Sequence, residues 1–501
     1  MSDPTRSQAG MEAFCSSREQ FDAMVAKMSS AETASLSHGD LEELLQRDGQ
    51  ELLRRLLQDH LDLRSAREHR IAVVGADGVA RNHHRDGSAR RLETIFGTVD
   101  VRRLGYGKAG VDSVFPMDRC LNLPQDKYSH GLRRRLADEV ARNSFDNAVQ
   151  SLSATTGGHV PKRQAEAVTA HVAQDFDAFY EQRRSQEAEG ADPLLVMSLD
   201  GKGIVMRTAD LRPETREKAE RQTGRKKRLG PGEKRNRKRM ATVAAVYSVA
   251  EYHRTAEQIM GLVVEDEAII RPRYRNKRVW ASVEKSPEQV TDEVFREALR
   301  RDPDRTRRWL MLVDGDKHQI DRIRAAAKAH GVDVTIILDF IHVLEYLWDA
   351  GHAFFGEGHL AVEGWVVERA VRILQGKVSD VAAGIRRSAT LQGLDGTRRE
   401  AVDTCADYLL KNRDHLRYDL FLDGGFPIST GVIEGACRHL VKDRMDITGA
   451  RWGLRSAEAV LRLRAMRSSG DLDAYWRFHR HQELTRNHTS RYKVYPRAVA
   501  A

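Results

Sequence analysis

The sequence predicts an α/β protein in which a sheet is flanked by helical regions. A continuous apolar run, Leu194–Leu199, leads into Asp200, and four further short apolar runs follow before residue 340. Helical patterns separate the later runs, and residues 340–423 have helical periodicity without a strand pattern. Because a continuous apolar strand needs protein on both faces, these runs indicate a sheet covered by helices.

Length and composition narrow the class of protein. The 501 residues allow about two to four domains. Lys and Arg number 82 against 73 Asp and Glu, and this net charge of +9 weakly favours a polyanionic partner. Four scattered cysteines without a CxxC pair argue against a zinc ribbon or a disulfide framework. With no apolar run of about 18 residues and no apolar signal core, we expect a cytoplasmic protein without a membrane span.

The first 125 residues predict a helical region over 1–70 and a small β-rich segment over 71–125. Regularly spaced leucines between 38 and 70 indicate one long amphipathic helix, capped by Ser37 or Asp40. This helix is either a core helix or a self-association helix, and the core interpretation is favoured. Short strands are predicted at Ile71–Val74, Leu92–Phe96 and Val99–Leu104.

Residues 126–190 predict a helical region with the outline of a helix-turn-helix. Two helices, His130–Asn143 and Ser144–Ala154, precede a glycine turn, and a third helix opens at Pro161. Lys162 and Arg163 would then lie at the start of the helix that usually contacts bases. DNA contact and ordinary packing both remain open for this helix.

The order of elements after residue 190 predicts a ribonuclease-H-like core over 191–340 and 426–465. Such a core begins with a three-stranded meander and continues with parallel strands joined by helices. Residues 341–425 are predicted to be an all-helical insertion and 466–501 a basic C-terminal tail. The predicted strands and helices of the core are Leu194–Leu199, Ala241–Val249, Val279–Val283, Pro287–Arg301, Trp309–Val313, Ile320–His330 and Val332–Leu338.

Three acids occupy the places where this kind of core builds a metal site. Asp200 ends the first strand, Asp314 follows the fourth, and Glu434 lies in a helix after the fifth. Their carboxylate oxygens suit Mg²⁺ or Mn²⁺, and two such ions about 4 Å apart could support phosphodiester hydrolysis and strand transfer on DNA. The alternatives are a turn aspartate and an exposed helix glutamate. Asp316 and Asp339 are weighed as supporting residues or as helix caps.

A basic segment lies between the first two predicted strands. Residues 221–239 contain ten Lys or Arg and one acid, with Gly and Pro in the middle. A solvated charge run is the alternative, but we expect an arm that binds DNA phosphates, since such contacts supply affinity without sequence information. The predicted contacts are Arg225, Lys226, Lys227, Arg228, Lys234, Arg235, Arg237, Lys238 and Arg239.

Several ordered blocks resemble one family. The blocks SLDGKGI at 198–204, LVDGDKHQI at 312–320 and STGVIEGACRHLVKDRM at 429–445 are similar to the acidic motifs of DDE transposases of bacterial insertion sequences, of the ISKra type and more distantly Mutator-like. The resemblance implies Asp200, Asp314 and Glu434 as the catalytic triad. It also implies recognition of double-stranded transposon ends by the N-terminal region, a homodimer or higher multimer on DNA, and a place at the bacterial nucleoid. A catalytically silent DNA-binding descendant and a structure-specific nuclease are the alternatives.

Overall fold

The computed structural model describes residues 13–183, 192–221, 237–263, 271–447 and 449–493. The chain divides into two compact units. The first unit comprises residues 1–182 and 471–501, and the second comprises residues 183–470.

The first unit begins with an antiparallel pair of helices. The helix Cys15–Met28 runs against the long helix His38–Ala66, and the short helix Ala31–Ala34 lies between them in the chain. Both predicted caps of the long helix act together, because the Ser37 hydroxyl accepts from the Asp40 N–H while the Asp40 carboxylate accepts from the Ser37 N–H. This reciprocal bonding fixes the start of the helix.

A three-stranded antiparallel sheet follows, in the order β1-β2-β3. It consists of β1 (His83–Thr94), β2 (Gly97–Lys108) and β3 (Val111–Val114). The strand predicted at Ile71–Val74 is wrong, since that segment contributes only an isolated bridge between Val74 and Ala80. The long helix packs on β2 and joins a core cluster consisting of Leu61, Leu92, Val99, Val101, Met117 and Leu123.

The remaining helices of the first unit include the three predicted around the glycine turn. Ser129 and Ser144 cap the first two of these three helices, as expected for serine at this position. The helices are Pro116–Cys120, His130–Arg142, Phe145–Thr155, Lys162–Val172, Phe176–Gln182 and Leu472–Asn487.

The predicted basic tail over 466–501 is wrong up to Asn487. The helix Leu472–Asn487 packs inside the first unit, and the side chain of Glu483 is completely buried there. Arg133, also buried, lies 3.2 Å from the Glu483 carboxylate, and His171 lies 3.0 Å from it. The polar sequence predicted a basic tail, but the Glu483 carboxylate is paired with side chains of the first unit rather than with water.

The second unit contains a mixed five-stranded sheet in the order β6-β5-β4-β7-β8. The β4-β5 and β5-β6 pairs are antiparallel, whereas β4-β7 and β7-β8 are parallel. This is the predicted order of a meander followed by parallel strands. The strands are β4 (Leu194–Val205), β5 (Lys238–Val249), β6 (Arg275–Ser282), β7 (Arg308–Val313) and β8 (Thr335–Leu338).

The helices of the second unit follow the predicted scheme. The helix Pro287–Arg301 begins at a Ser286 capping box, packs against β4 and β5, and precedes β7. The helix Lys317–His330 ends at Gly331, whose φ of 62° suits a left-handed cap. Residues 340–423 form helices without a strand: Phe340–Phe355, Ala361–Leu374, Val378–Leu391, Gly396–Lys411 and Tyr418–Asp423. The other α-helices are Pro213–Arg221, Ala256–Ile259, Gly431–Ala436, Asp443–Met445 and Leu454–Ser468.

A buried histidine makes the first unit sensitive to acid. Both ring nitrogens of His130 are buried without a hydrogen-bond partner, and burial, reinforced by the charge of Arg133, lowers the pKa of this residue to about 4. Because the folded state binds the proton less readily than the unfolded state, stability is lost as the pH falls from about 6.5 towards 4.

The wild type loses free energy of unfolding as the pH falls from about 7 to about 4.5. We predict that this loss is about 2 to 3 kcal/mol smaller in His130→Leu. Native-state hydrogen exchange of the amides in His130–Arg142 measures the free energy of opening at each pH. His38→Asn, at an exposed position, is the matched control and should keep the wild-type pH dependence. An unchanged acid response in His130→Leu would contradict this role.

Candidate functional site

Asp200 and Asp314 occupy equivalent positions on two neighbouring parallel strands. The β4-β7 register pairs Leu194 with Arg308 and continues to Ser198 with Leu312, a constant offset of 114 residues. Asp200 and Asp314 keep this offset two residues further on, just after β7 ends at Val313. Neighbouring strands lie about 5 Å apart, and residues two apart share a face. The two carboxylates therefore belong to one face of the sheet, at the point where β7 stops.

Asp200 lies inside a strand rather than at its end. The sequence predicted a strand that ends on Asp200 and can resume at Gly203–Arg207, whereas β4 continues without a break to Val205 and pairs with β5 along its whole length. This pairing excludes the alternative of a turn aspartate. One Asp200 oxygen accepts from the Gly201 N–H, and the other lies 3.0 Å from the Cys437 thiol, which donates to it. Burial and the Asp200 charge raise the pKa of Cys437, so the thiol keeps its proton.

The backbone around Asp314 is held by a tyrosine from the helical insertion. The Tyr408 hydroxyl donates to the Asp314 carbonyl at 3.1 Å, and burial raises the pKa of Tyr408. Gly315 has a φ of 98°, and a Cβ there would lie 3.2 Å from the Tyr408 hydroxyl oxygen. Asp316 accepts from the Gln319 N–H at 2.8 Å, which makes it the cap of the next helix. The Asp314 side chain remains exposed.

Glu434 lies in the helix Gly431–Ala436, which packs against β4 and β5. Its side chain is exposed, and one carboxylate oxygen lies 3.2 Å from the Thr430 hydroxyl. The next segment, Cys437–Lys442, is a π-helical turn. Such turns widen a helix locally and are frequent at functional sites. Here the turn begins at the residue whose thiol reaches Asp200.

Asp339 joins the end of β8 to the start of the Glu434 helix. Its side chain is completely buried and accepts from the N–H groups of Ile341 at 3.1 Å and Thr430 at 3.3 Å. The Thr430 hydroxyl also donates to it. Asp339 is therefore both a helix cap and a support for the Glu434 helix, the two roles between which the sequence left a choice.

The sequence did not predict that Thr430 bonds Asp339 or that Cys437 bonds Asp200. The sequence predicted Ser429 or Thr430 as the cap of the Glu434 helix, but the Thr430 side chain makes no cap hydrogen bond and donates to Asp339 instead. A carboxylate at the end of an apolar strand is costly to bury without donors. That cost was the signal that a hydroxyl or amide from elsewhere in the chain should meet Asp339.

The three acids do not form a closed metal site. Among the residues that the structure describes, no group of three His, Cys, Asp or Glu side chains is placed to hold a metal ion. The donor chemistry suits Mg²⁺ or Mn²⁺, since all three groups are carboxylates. Asp200 and Asp314 are brought to one sheet face by register, whereas Glu434 contacts Thr430.

The predicted DNA contacts of the first unit lie on its surface. Lys162 and Arg163 are exposed at the start of the helix Lys162–Val172, as expected for residues that could meet a groove. The Lys162 ammonium lies 2.6 Å from the Asp146 carboxylate.

Of the basic segment over 221–239, the structure describes Arg221, at the end of the helix Pro213–Arg221, and residues 237–239. Lys238 is exposed and lies 4.0 Å from Asp446, and Arg237 is half-buried beside it. The Arg239 guanidinium donates to the carbonyls of Val283, Asp210 and Glu284, and burial lowers its pKa, so it acts as a structural clamp. The contacts predicted at Arg225, Lys226, Lys227, Arg228, Lys234 and Arg235 lie outside the described residues.

Comparisons with known proteins leave the family open. No protein-family model matches the chain, and no curated protein matches it. Among solved structures, the chain has a likeness to the Drosophila P element transposase strand transfer complex, with a TM-score of 0.24 and 8% identity over 71% of this chain and 80% of that chain. At these values no residue role or activity is carried across. In the part of the chain that is described, no helix has both the length and the apolar character to cross a bilayer.

We predict that Thr430→Val destabilises the second unit by about 1 to 3 kcal/mol, because a buried carboxylate loses a hydroxyl donor. Urea denaturation of the full chain, followed by tryptophan fluorescence, measures the change. Thr430→Ser keeps the hydroxyl and should lie within about 1 kcal/mol of the wild type. A loss in Thr430→Ser that exceeds the loss in Thr430→Val would show that the methyl group, not the hydrogen bond to Asp339, is what matters.

Proposed function

We propose that the protein is a DNA transposase with a ribonuclease-H-like catalytic core. The proposed reaction is metal-dependent phosphodiester hydrolysis and strand transfer at the ends of an insertion sequence, with Asp200, Asp314 and Glu434 as metal ligands. The observation that carries the proposal is the constant β4-β7 register, which puts two acids on one face of a mixed sheet beside the helix of the third.

Each acid has a defined task in this proposal. Asp200 presents its oxygens from inside β4 and Asp314 from the residue that follows β7. Sites attached to strands hold a reacting group more reproducibly than sites on loops. Glu434 would have to leave its contact with Thr430 and turn towards the pair. When bound, two Mg²⁺ or Mn²⁺ ions would activate a water or a 3′-hydroxyl and stabilise the leaving oxygen. No covalent protein nucleophile is required.

Neighbouring side chains keep these ligands in place. The Cys437 thiol orients one oxygen of Asp200, and Tyr408 holds the backbone of Asp314. Partners of this kind typically change metal affinity or activity 10- to 100-fold when they are replaced. We therefore assign Cys437 and Tyr408 as positioning residues.

The proposed partner is double-stranded DNA, both transposon ends and target. Lys162 and Arg163 on the first unit and the basic segment up to Lys238 would contact phosphates. Three of the five Arg239 N–H donors already meet backbone carbonyls, so Arg239 would be a weaker contact. A homodimer or higher multimer would bring two ends together. A silent DNA-binding descendant is the second candidate; its cue would be a missing acid, and Asp200, Asp314 and Glu434 are all present.

We predict that Asp200→Asn and Asp314→Asn each reduce Mg²⁺-dependent cleavage of end-bearing DNA by more than about a hundredfold, beyond the effect typical of a supporting residue. DNA affinity should stay within about threefold, because the acids do not supply the phosphate contacts. Gel assays of cleavage and fluorescence anisotropy of binding measure the two effects.

Asp316→Asn is the matched control for these variants, because it changes an acid two residues from Asp314 that caps a helix. It should retain most of the cleavage. Lost binding in the Asp200 or Asp314 variant would contradict the assigned roles. Binding without cleavage in the wild type would favour the silent descendant.

The slope of log affinity against log salt is negative, and each phosphate contact contributes about 0.9 to its steepness. We predict that the double variant Lys162→Ala, Arg163→Ala makes this slope shallower by about 1.8. Binding titrations between about 50 and 200 mM salt measure this slope. The control Arg142→Ala removes an exposed arginine that is paired with Asp138 and Glu139 within its own helix. An equal change of slope in both variants would argue against DNA contact at the start of the Lys162 helix.

A further inference from the structure

Among the residues that the structure describes, nothing covers one apolar face of the N-terminal helix pair. The long helix His38–Ala66 packs one side on β2, where Leu57 and Leu61 join the core, and a second side on the helix Cys15–Met28. Its third side carries Leu45, Leu53 and Leu56, which are 38% to 46% exposed. Positions 45, 53 and 56 fall within about 80° of one another on a helix of 3.6 residues per turn.

The first helix extends the same face. The Ser17 N–H donates to Asp59, and Lys27 lies 3.0 Å from Asp48, so the two helices are antiparallel. With this direction, helical geometry places Phe21 and Val25 on the side from which Leu45 and Leu56 emerge. Both are about half exposed. Single exposed apolar residues are ordinary, but five on one side of a helix pair are typical of an interaction surface.

We propose that this face is the contact between two copies of the chain. A twofold axis passing between residues 54 and 55 of the long helix would set the two long helices antiparallel. Leu53 of one copy then meets Leu56 of the second copy, and Gly49 faces His60. A Cβ added at Gly49 would have no atom within 4 Å, so the backbone there offers room for the facing helix. A twofold contact uses the same patch on both copies.

The charges at the two ends of the face select this antiparallel pairing. Acids stand at its N-terminal end, where the Glu42 side chain is 72% exposed and lies 3.7 Å from His38. Arg67, exposed, stands at the other end of the helix. The proposed axis brings Glu42 of each copy to Arg67 of the other, whereas a parallel pairing would set like charges side by side. Complementary charge of this kind fixes the register of an interface.

The first test removes the apolar contact. Sedimentation equilibrium of the full chain should show a dimer with a dissociation constant at or below about 10 μM. Leu53→Glu with Leu56→Glu should raise this constant at least about a hundredfold, because four carboxylates would be buried at the axis. The control Leu391→Glu changes a leucine of the second unit that is 78% exposed, and it should leave the dimer intact.

The second test exchanges the charges. Glu42→Arg or Arg67→Glu should each weaken the dimer about tenfold, since symmetry repeats the pair, and the combined variant should return to within about twofold of the wild type. These side chains are exposed in the single chain, so the test stands even where the leucine variant loses its helical circular dichroism.

Two results would overturn the proposal. One is a wild type that stays monomeric up to about 50 μM. The other is a dimer that survives the leucine variant with its circular dichroism unchanged. Single charge variants without any effect, or a combined variant that fails to recover, would overturn the antiparallel register.

Discussion

The parallel pairing of β4 with β7 is the constraint on which the second unit depends. Apart from the exposed Arg308 at the start of β7, both strands are buried along the paired stretch, so a slip of one residue would disturb the packing on both sides of the sheet. Burial thus locks the register, and the locked register sets the position of Asp314 against Asp200. No direct contact between the two acids is needed to fix their relative position, because the hydrophobic core aligns β4 and β7.

The contact between Asp339 and Thr430 holds the start of the Glu434 helix, although the two residues are far apart in the chain. Five helices separate Asp339 from Thr430 in the chain, yet the buried Asp339 carboxylate bonds the N–H and hydroxyl of Thr430 directly. A buried carboxylate is stable only when donors meet it, so this contact restricts where residue 430 can lie. The helical block between them can therefore differ in length or shape without moving the start of the helix that carries Glu434.

Charge in this protein is used inside the fold as well as on its surface. The helix His130–Arg142 has the composition of a nucleic-acid-binding helix, but Arg133 is buried against Glu483 and Asp126. Arg239, in the middle of a basic run, clamps three carbonyls. Composition therefore overstates the positive charge that is exposed at the surface, where Lys162 and Arg163 lie.

By itself the sequence determined the strand order of the second unit, the helical block after residue 340 and the elements on which Asp200, Asp314 and Glu434 lie. Apolar runs and helical periodicity record which faces are buried, and these patterns are local. Only the tertiary structure decided that β4 runs on through Asp200, that Thr430 bonds Asp339, and that the helix Leu472–Asn487 returns to the first unit. Each of these depends on partners up to hundreds of residues away, and for a polar side chain the partner, not the neighbouring sequence, decides whether it can be buried.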